Sequence, residues 1–450
     1  MRPDLANSYG QDRLPRYTSY PTAPHFSSSI RESDYRAWLK SLRSRQSASI
    51  YLHVPFCRSM CRYCGCHTSV TKRSEPIATY AAGLRTEADL VAEAIGQQLS
   101  ISHVHFGGGT PTIMTPETFA DLVGALRYSF LVLPGAEIAV EIDPRTLTEP
   151  MAEALGYCGV NRASLGIQSF DPLVQCAINR RQSFEQTAIS VEWLRRAGVN
   201  RINFDLLYGL PLQTVASCQN TVARCLELRP ARFSVFGYGH VPSFKKHQRK
   251  IDEASLPDSV ARHLQAEAIA EALVDAGYVR IGLDHFALPD DNLALARRRG
   301  TLRRNFQGYT DDSADALIGL GASAIGRLPH GFVQNTVAIR EYLARIIDDR
   351  LPTAKGYLLT TDDRFRAEII ERIMCDMSVD LSQILRLHGQ DPESAIIDRA
   401  RLDRLVADGV VIMDGDRLTV SDGAQFLVRS VASAFDAHLP RSEAPHTRAV

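Results

Sequence analysis

From residue 49 onward the chain alternates short apolar runs with longer amphipathic ones, and this alternation constrains its fold more than any other feature. The strand candidates are SIYLHVPF (49–56), ISHVHF (101–106), AEIAVEID (136–143), RASLGIQ (162–168), RINFDLLYG (201–209) and RFSVFGYGH (232–240). Helical patterns lie between them, such as PETFADLVGALRYSF, with Pro in its first turn, and SFEQTAISVEWLRRAG, which ends on Gly198. Repeated β–α units require parallel strands with helices packed outside. No GxGxxG follows the first strand, which argues against a dinucleotide-binding sheet. Six units are too few for a closed eight-stranded barrel. The α/β class expected is therefore a partial TIM-like barrel of six β/α units.

Polar and glycine-rich residues gather where these strands end: Cys57 onward, Gly107–Thr110, Glu141 with Asp143, Gln168, Asp205 and Gly237–His240. Parallel α/β folds build their sites at the carboxyl ends of the strands, so six strand ends point at one mouth.

A chain of 450 residues is long enough for a catalytic domain and an accessory one. Three parts are expected: an N-terminal arm over the active site (1–45), the barrel with its extension (46–355) and a mostly helical C-terminal domain (356–450). A long helix is expected over 255–277, followed by the Arg-rich stretch RRRGTLRRNFQGYT. Residues 360–450 carry 11 Lys and Arg against 16 Asp and Glu. There the segment RLDRLVADGVVIMDGDRLTVSDGAQFLVRSV reads as helix, hairpin turning at Asp414-Gly415, then helix, a winged-helix-like pattern. An acidic unit of this kind lacks the basic groups that phosphate contacts need, so a lid or packing role is expected.

Formal net charge is zero, which argues against a nucleic-acid binder. The N-terminal sequence has charges and prolines where a signal peptide needs an apolar run, and no apolar stretch is long enough to span a membrane. A cytoplasmic location is expected, where clustered cysteines serve metal or redox chemistry more often than disulfides.

Of nine cysteines, four stand together in HVPFCRSMCRYCGCHTS. Cys57, Cys61 and Cys64 have the spacing C-x3-C-x2-C just beyond the first strand. Thiolates are the usual ligands of iron–sulfur clusters, and three protein ligands on a cubane leave one iron open. Structural zinc is the alternative reading of the same residues. Against it, Cys64 and Cys66 are too close in sequence to serve as two ligands of one small ion. Cys158, Cys176, Cys218, Cys225 and Cys375 are scattered, mostly in helical segments, and read as small core hydrophobes.

CRSMCRYCGC, HFGGGTPT, EIDPR, LGIQSF, NFDLLYGLP, RNFQGYT and RYTSYPT together resemble the oxygen-independent coproporphyrinogen III oxidases of the radical S-adenosylmethionine superfamily. The resemblance runs from about residue 15 to 435. It implies a 4Fe–4S cluster on Cys57, Cys61 and Cys64, and two molecules of S-adenosylmethionine. The implied cofactor-binding residues are Tyr51, Gly108, Gly109, Thr110, Glu141, Gln168, Arg180, Asp205, Gly239 and Ile325, with Arg180 suited to the methionyl carboxylate. Cys66, matching the family's CxC ending, is the implied catalytic residue.

The implied reaction converts coproporphyrinogen III to protoporphyrinogen IX, turning two propionates into vinyl groups in haem and porphyrin biosynthesis. Electrons are expected from a low-potential donor such as flavodoxin, and a monomer is expected. Arg16 and the stretch 297–304 gain a purpose as partners of the substrate carboxylates. A haem chaperone and a radical methyltransferase of the same branch are the alternatives; Cys66 and the RYTSYPT arm argue against the chaperone.

Overall fold

The computed structural model describes residues 3–10, 12–390, 395–439 and 447–448. Parallel strands occupy all six expected segments: β1 (Ser47–Val54), β2 (Ser100–Gly108), β3 (Leu131–Ile142), β4 (Arg162–Gln168), β5 (Arg201–Tyr208) and β6 (Arg232–Gly237). The helices between them are α1 (Glu75–Ile95), α2 (Pro116–Ser129), α3 (Glu149–Tyr157), α4 (Phe184–Arg196) and α5 (Val215–Glu227), with a short helix Pro172–Ala177 before α4. Local sequence sets their starts. Thr115 and Thr148 each accept a backbone N–H of the first turn, and Ser183 with Gln186 forms a reciprocal capping box. After α4 the chain turns at Gly198, whose φ of 87° favours glycine.

The sheet extends beyond these six strands on both sides. At one edge, β7 (Val279–Ile281) and β8 (His285–Ala287) form a hairpin antiparallel to β6. At the other, β9 (Ala316–Leu320) pairs parallel with β1, and β10 (Ile325–Leu328), β11 (Gly331–Asn335) and β12 (Thr353–Leu358) follow antiparallel. The order is β7-β8-β6-β5-β4-β3-β2-β1-β9-β10-β11-β12, so the partial barrel has a seventh parallel strand in β9. Periodicity did not mark β9 because all five of its residues are buried and it shows no alternation.

Alternation in the parallel strands separates two environments. Ile50, Leu52, Val104, Phe106, Ile138, Val140, Leu165 and Phe204 belong to the main apolar core shared with the helices. Their polar neighbours face one another inside the barrel. The Ser164 hydroxyl donates to Asp205 at 2.9 Å, Asn203 donates to Ser164 and Asp205, and Arg162 pairs with Glu137 at 2.9 Å. The barrel interior is thus lined with groups that must satisfy one another.

The long helix begins later than expected, as α6 (Ser259–Asp275), because Pro257 and the capping Asp258 stop it at its N-terminus. In the C-terminal part, helices Thr361–Asp376, Leu381–His388 and Arg399–Ala407 precede the expected hairpin, Val411–Asp414 with Arg417–Val420. Its turn includes Gly415 at φ 57°. This winged-helix-like unit has its own apolar core, and Leu5, Tyr9, Tyr17 and Tyr20 of the N-terminal arm are buried in it beside Phe365, Leu405 and Phe435. Polar ties reinforce the join: Tyr9 donates to Asp408 at 2.6 Å, Tyr17 to Asp436 at 3.0 Å, and Arg401 to Asp12 at 3.0 Å. Among the described residues no helix is long and apolar enough to cross a membrane.

Candidate active site

Cys57 lies just past β1, in a loop with little regular structure of its own, so tertiary bonds hold the loop in place. Phe56 and Cys57 pair with Ser69 and Val70 at its two ends. On one flank the Arg62 amide donates to Ile178 O at 2.9 Å and Asn179 donates to Met60 O at 2.9 Å. On the other, His247 bonds Cys64 O at 2.8 Å and Gln248 donates to Tyr63 O at 3.1 Å.

A cavity of about 180 Å³ opens inside this loop. Its lining contains eleven of the expected site residues: Cys57, Cys61, Cys64, Cys66, Gly108, Gly109, Thr110, Glu141, Gln168, Arg180 and Asp205. Most come from the ends of β1 to β4, as parallel α/β topology requires; Asp205 lies within β5, and Arg180 follows the short helix after β4.

The cysteines are free thiols, and donors surround them. Thr68 and Thr110 hydroxyls stand 3.2 and 3.5 Å from the Cys57 sulfur. Arg145 and Arg180 guanidinium nitrogens stand 3.5 and 3.6 Å from that of Cys61. Cys64 accepts from the Cys66 thiol and amide, which holds it below the ordinary thiol range, and Cys66 is raised in return. Burial pushes the Cys57 thiol up, with the two threonines pulling against it. Thiolates hold an iron–sulfur cluster, and hydroxyl and guanidinium donors on their sulfurs tune it, so these residues fit that group. Among the described residues no group of three His, Cys, Asp or Glu side chains is placed to hold a single metal ion.

The glycine-rich turn has a reason within the protein itself. A Cβ on Gly109 would stand 2.6 Å from Phe56 O and from the Thr68 hydroxyl. One on Gly108, whose φ is 111°, would strike the His53 ring. Thr110 N donates to Phe56 O at 2.8 Å, so the end of β2 lies directly against the cysteine loop.

Glu141 accepts from the Gly108 amide at 3.0 Å and lies 3.2 Å from the His105 ring. Burial pushes its carboxyl up, but His105, the Gly108 amide and His53 together hold it below the usual carboxylate value. Burial raises Asp205 to about 6 against the pull of Ser164. Gln168 adopts φ 66°, uncommon for a residue with a side chain, and its amide folds back over Gly166. Arg180 is buried, donating to Gly166 O at 2.6 Å and pairing with Asp143 at 3.3 Å. Its guanidinium therefore already meets a protein carboxylate.

Three expected residues lie outside that lining. Tyr51 is beneath it, bonded through its hydroxyl to His53 at 2.9 Å and stacked on His105. Gly239 lines a second, larger cavity of about 560 Å³. Ile325 opens β10, against the backbone of Gly319, and lines neither cavity. Asp143 is expected at the mouth but not as a cofactor residue; Arg145, His105 and His53 are not expected at the site at all. Asp143 and Arg145 lie in the EIDPR motif, and the two histidines continue the inward alternation of β1 and β2, so the signal was present in the sequence.

The second cavity lies between the barrel mouth and the C-terminal unit. Arg13, Arg16, Arg262, Arg280, Arg304 and Arg429 line it, with Tyr208 and Phe426. Arg16 and Arg304 arrive as expected. Arg303 does not: it pairs with Glu371 at 2.7 Å and is not among the lining residues. Arg304 stacks over Tyr309 at 4.4 Å, its side chain only 5% exposed, with its nearest carboxylate, Asp284, at 3.6 Å. Its Nε and Nη1 have no hydrogen-bond partner among the described residues.

Comparison with known proteins agrees with this geometry. Residues 51–225 match the profile of the Radical SAM superfamily. The chain is 63% identical over 450 residues, all of both chains, to the oxygen-independent coproporphyrinogen III oxidase of Bradyrhizobium diazoefficiens. It is 42% identical to that of Paracoccus denitrificans, covering 95% of this chain and 94% of that one. Coproporphyrinogen III oxidase (HemN) from Escherichia coli, a radical SAM enzyme of known structure, superposes with a TM-score of 0.89 at 34% identity, over 95% of this chain and all of that one. Identity at this level along the entire chain, with the thiol-lined mouth intact, places the protein in a family: it belongs to the oxygen-independent coproporphyrinogen III oxidases of the radical SAM superfamily.

Proposed function

We propose that this protein converts coproporphyrinogen III to protoporphyrinogen IX without oxygen, by oxidative decarboxylation of two propionates to vinyl groups. Family membership along the full length supports this reading, and the observation that carries it is the adjacency of two cavities. One gathers thiols and the glycine turn; the other gathers arginines suited to a molecule bearing four carboxylates. The segment after β6 borders both, because Gly239 lines the arginine cavity while Gln248 ties Gly239 O to Tyr63 O of the cysteine loop. Family membership also sets aside the structural zinc alternative.

In this reading Cys57, Cys61 and Cys64 hold a 4Fe–4S cluster. Tyr51, Gly108, Gly109, Thr110, Glu141, Gln168, Arg180, Asp205, Gly239 and Ile325 together bind two molecules of S-adenosylmethionine. When bound, cluster and S-adenosylmethionine together supply the 5′-deoxyadenosyl radical that oxidises the propionate. The chain's own part is positioning. Glu141 and Asp205 offer carboxylate oxygens to hydroxyl or amino donors. Arg16 and Arg304 orient the substrate carboxylates so that one propionate faces the mouth. Cys66, outside the three-thiol set and exposed, assists turnover. The arm (1–45) and C-terminal unit (356–450) cover the catalytic part (46–355). We further propose a monomeric, cytoplasmic enzyme that takes electrons from a low-potential donor such as flavodoxin and binds neither nucleic acid nor membrane.

The test is an anaerobic assay with reconstituted protein, a reductant, S-adenosylmethionine and coproporphyrinogen III, followed for 5′-deoxyadenosine and vinyl product. Stoichiometric haem binding without turnover would indicate a chaperone instead. Methylated product with S-adenosylhomocysteine would indicate a methyltransferase.

A further inference from the structure

A strongly basic segment lies directly against the cysteine loop, and its outward cations have no part in the site already described. Residues 244–250 read FKKHQRK, four formal positive charges with no acidic residue among them, in a chain whose net charge is zero. The segment forms a short 3-10 turn, Lys246–Lys250. Its inward side chains grip the loop: Lys245 Nζ donates to Cys66 O at 3.1 Å, His247 bonds Cys64 O at 2.8 Å, and Gln248 donates to Tyr63 O at 3.1 Å. Its outward side chains are Lys246, Arg249 and Lys250, all exposed, with Phe244 72% exposed at the edge. The acids that follow are engaged locally. Glu253 pairs with His240 at 3.0 Å, and Asp252 caps the next turn through the Ala254 amide.

We infer that Phe244, Lys246, Arg249 and Lys250 form the docking surface for a small acidic protein carrying a low-potential one-electron donor group. The inference rests on the proposed function, which consumes electrons that the chain cannot generate. Those electrons must reach a site held by Cys57, Cys61 and Cys64 from outside. At this face the exposed cations adjoin His247, which is itself one hydrogen bond from the backbone of Cys64. An exposed aromatic at the edge of a group of cations is a surface that an acidic partner with an apolar patch complements, with the cations steering its approach. In the transfer itself one electron leaves the donor group, oxidising it, and enters the thiol-held centre, reducing it; no bond is made and no proton moves.

The experiment uses reconstituted full-length protein and purified flavodoxin as the probe. The dissociation constant is measured by titration at low and high salt. It is measured for the wild type, for Lys246→Glu/Lys250→Glu, and for a control with the same charge change elsewhere, Arg298→Glu/Arg299→Glu. Lys245, His247 and Gln248 stay in place, so the grip on the loop is kept, and iron content and circular dichroism verify it. The docking variant is expected to bind flavodoxin about tenfold more weakly at low salt, with the gap closing at high salt, while the control binds as wild type. Phe244→Ala is expected to weaken binding at both salts. Turnover driven by photoreduced deazaflavin, a small neutral reductant, and KM for coproporphyrinogen III are expected to be unchanged in the docking variant.

Equal weakening in both charge-reversed proteins would overturn the inference. So would unchanged flavodoxin affinity, or a raised KM for the substrate, which would make the segment a substrate-steering surface. Preferential loss of affinity for a single-stranded oligonucleotide would overturn it in favour of a nucleic-acid surface. Failure of the deazaflavin-driven assay in the wild type would instead count against the proposed function, so the two failures are distinguishable.

Discussion

Arg180 pairs with Asp143 at 3.3 Å and, from the same position, points Nη1 at the Cys61 sulfur 3.6 Å away. Arg180 is buried and Asp143 largely so, and Arg145 holds the other side of the Asp143 carboxylate at 2.6 Å. Burial pulls Arg180 down, but Tyr63, Asp143 and Cys61 together hold it above its ordinary value; burial pushes Asp143 up, but Arg180 and Arg145 hold it below its own. The arginine is therefore a fixed cation beside the Cys61 thiol. A ligand carboxylate reaching it would share it with Asp143.

Arg180→Ala removes that cation from beside Cys61. A positive donor at the sulfur favours the more negative, reduced centre, so the variant's cluster should become harder to reduce. If the lost charge-assisted bond differs between the redox states by about 1.4 kcal/mol, the potential falls by roughly 60 mV. Redox titration followed by electron paramagnetic resonance reads this directly. An unmoved potential with normal iron content would refute it.

Cys66→Ala is expected to keep the iron of the wild type, since Cys57, Cys61 and Cys64 are untouched, yet to lose vinyl product. Iron analysis and product chromatography on one preparation decide the matter. Normal turnover would make Cys66 a bystander.

Arg304 and Arg303 are neighbours in sequence with opposite surroundings, one lining the arginine cavity and the other paired with Glu371. Arg304→Gln should raise KM for coproporphyrinogen III about tenfold to a hundredfold, the range expected for losing a charge-assisted hydrogen bond of about 1.5–3 kcal/mol. Arg303→Gln should leave KM within about twofold, since an exposed ion pair contributes little. Equal effects at the two positions would show that the cavity does not hold the carboxylates.

Glu87 on α1 is buried, and it accepts from the Gly321 amide, Asn335 Nδ2 and the Tyr342 hydroxyl at 2.6, 2.6 and 2.7 Å. Burial raises its carboxyl to about 7 even so, with Tyr342 and the other donors pulling down. Because the folded value lies above the unfolded one, the folded state binds the extra proton. This contribution is complete below about pH 4.5 and is lost as pH rises through about 7. The wild type should therefore lose on the order of 3 kcal/mol from this group between those limits. Glu87→Gln should abolish that part of the slope, which thermal midpoints of both proteins across pH 5–8 would reveal.

Much of the site was legible in the sequence because its parts are local. Cysteine spacing, the HFGGGTPT turn and carboxylates at strand ends are patterns of a few residues, and parallel strand topology alone brings such ends to one mouth. Eleven of the expected residues share one cavity for that reason. Ile325 lies elsewhere, because its place depends on β10 being an antiparallel strand reached only after the unpredicted β9. No spacing rule tells that the Arg180 guanidinium meets Asp143, 37 residues earlier.

The sequence by itself determined the repeated β/α units, the thiol set and the family, since periodicity and short motifs are properties of neighbouring residues. Only the tertiary structure decided the seventh parallel strand, the burial of the N-terminal arm in the C-terminal core, and the choice of Arg304 over Arg303. It also set the basic 244–250 turn against the cysteine loop. Each of these depends on contacts between segments far apart in the chain, where packing and pairing select one arrangement among many that the local pattern allows.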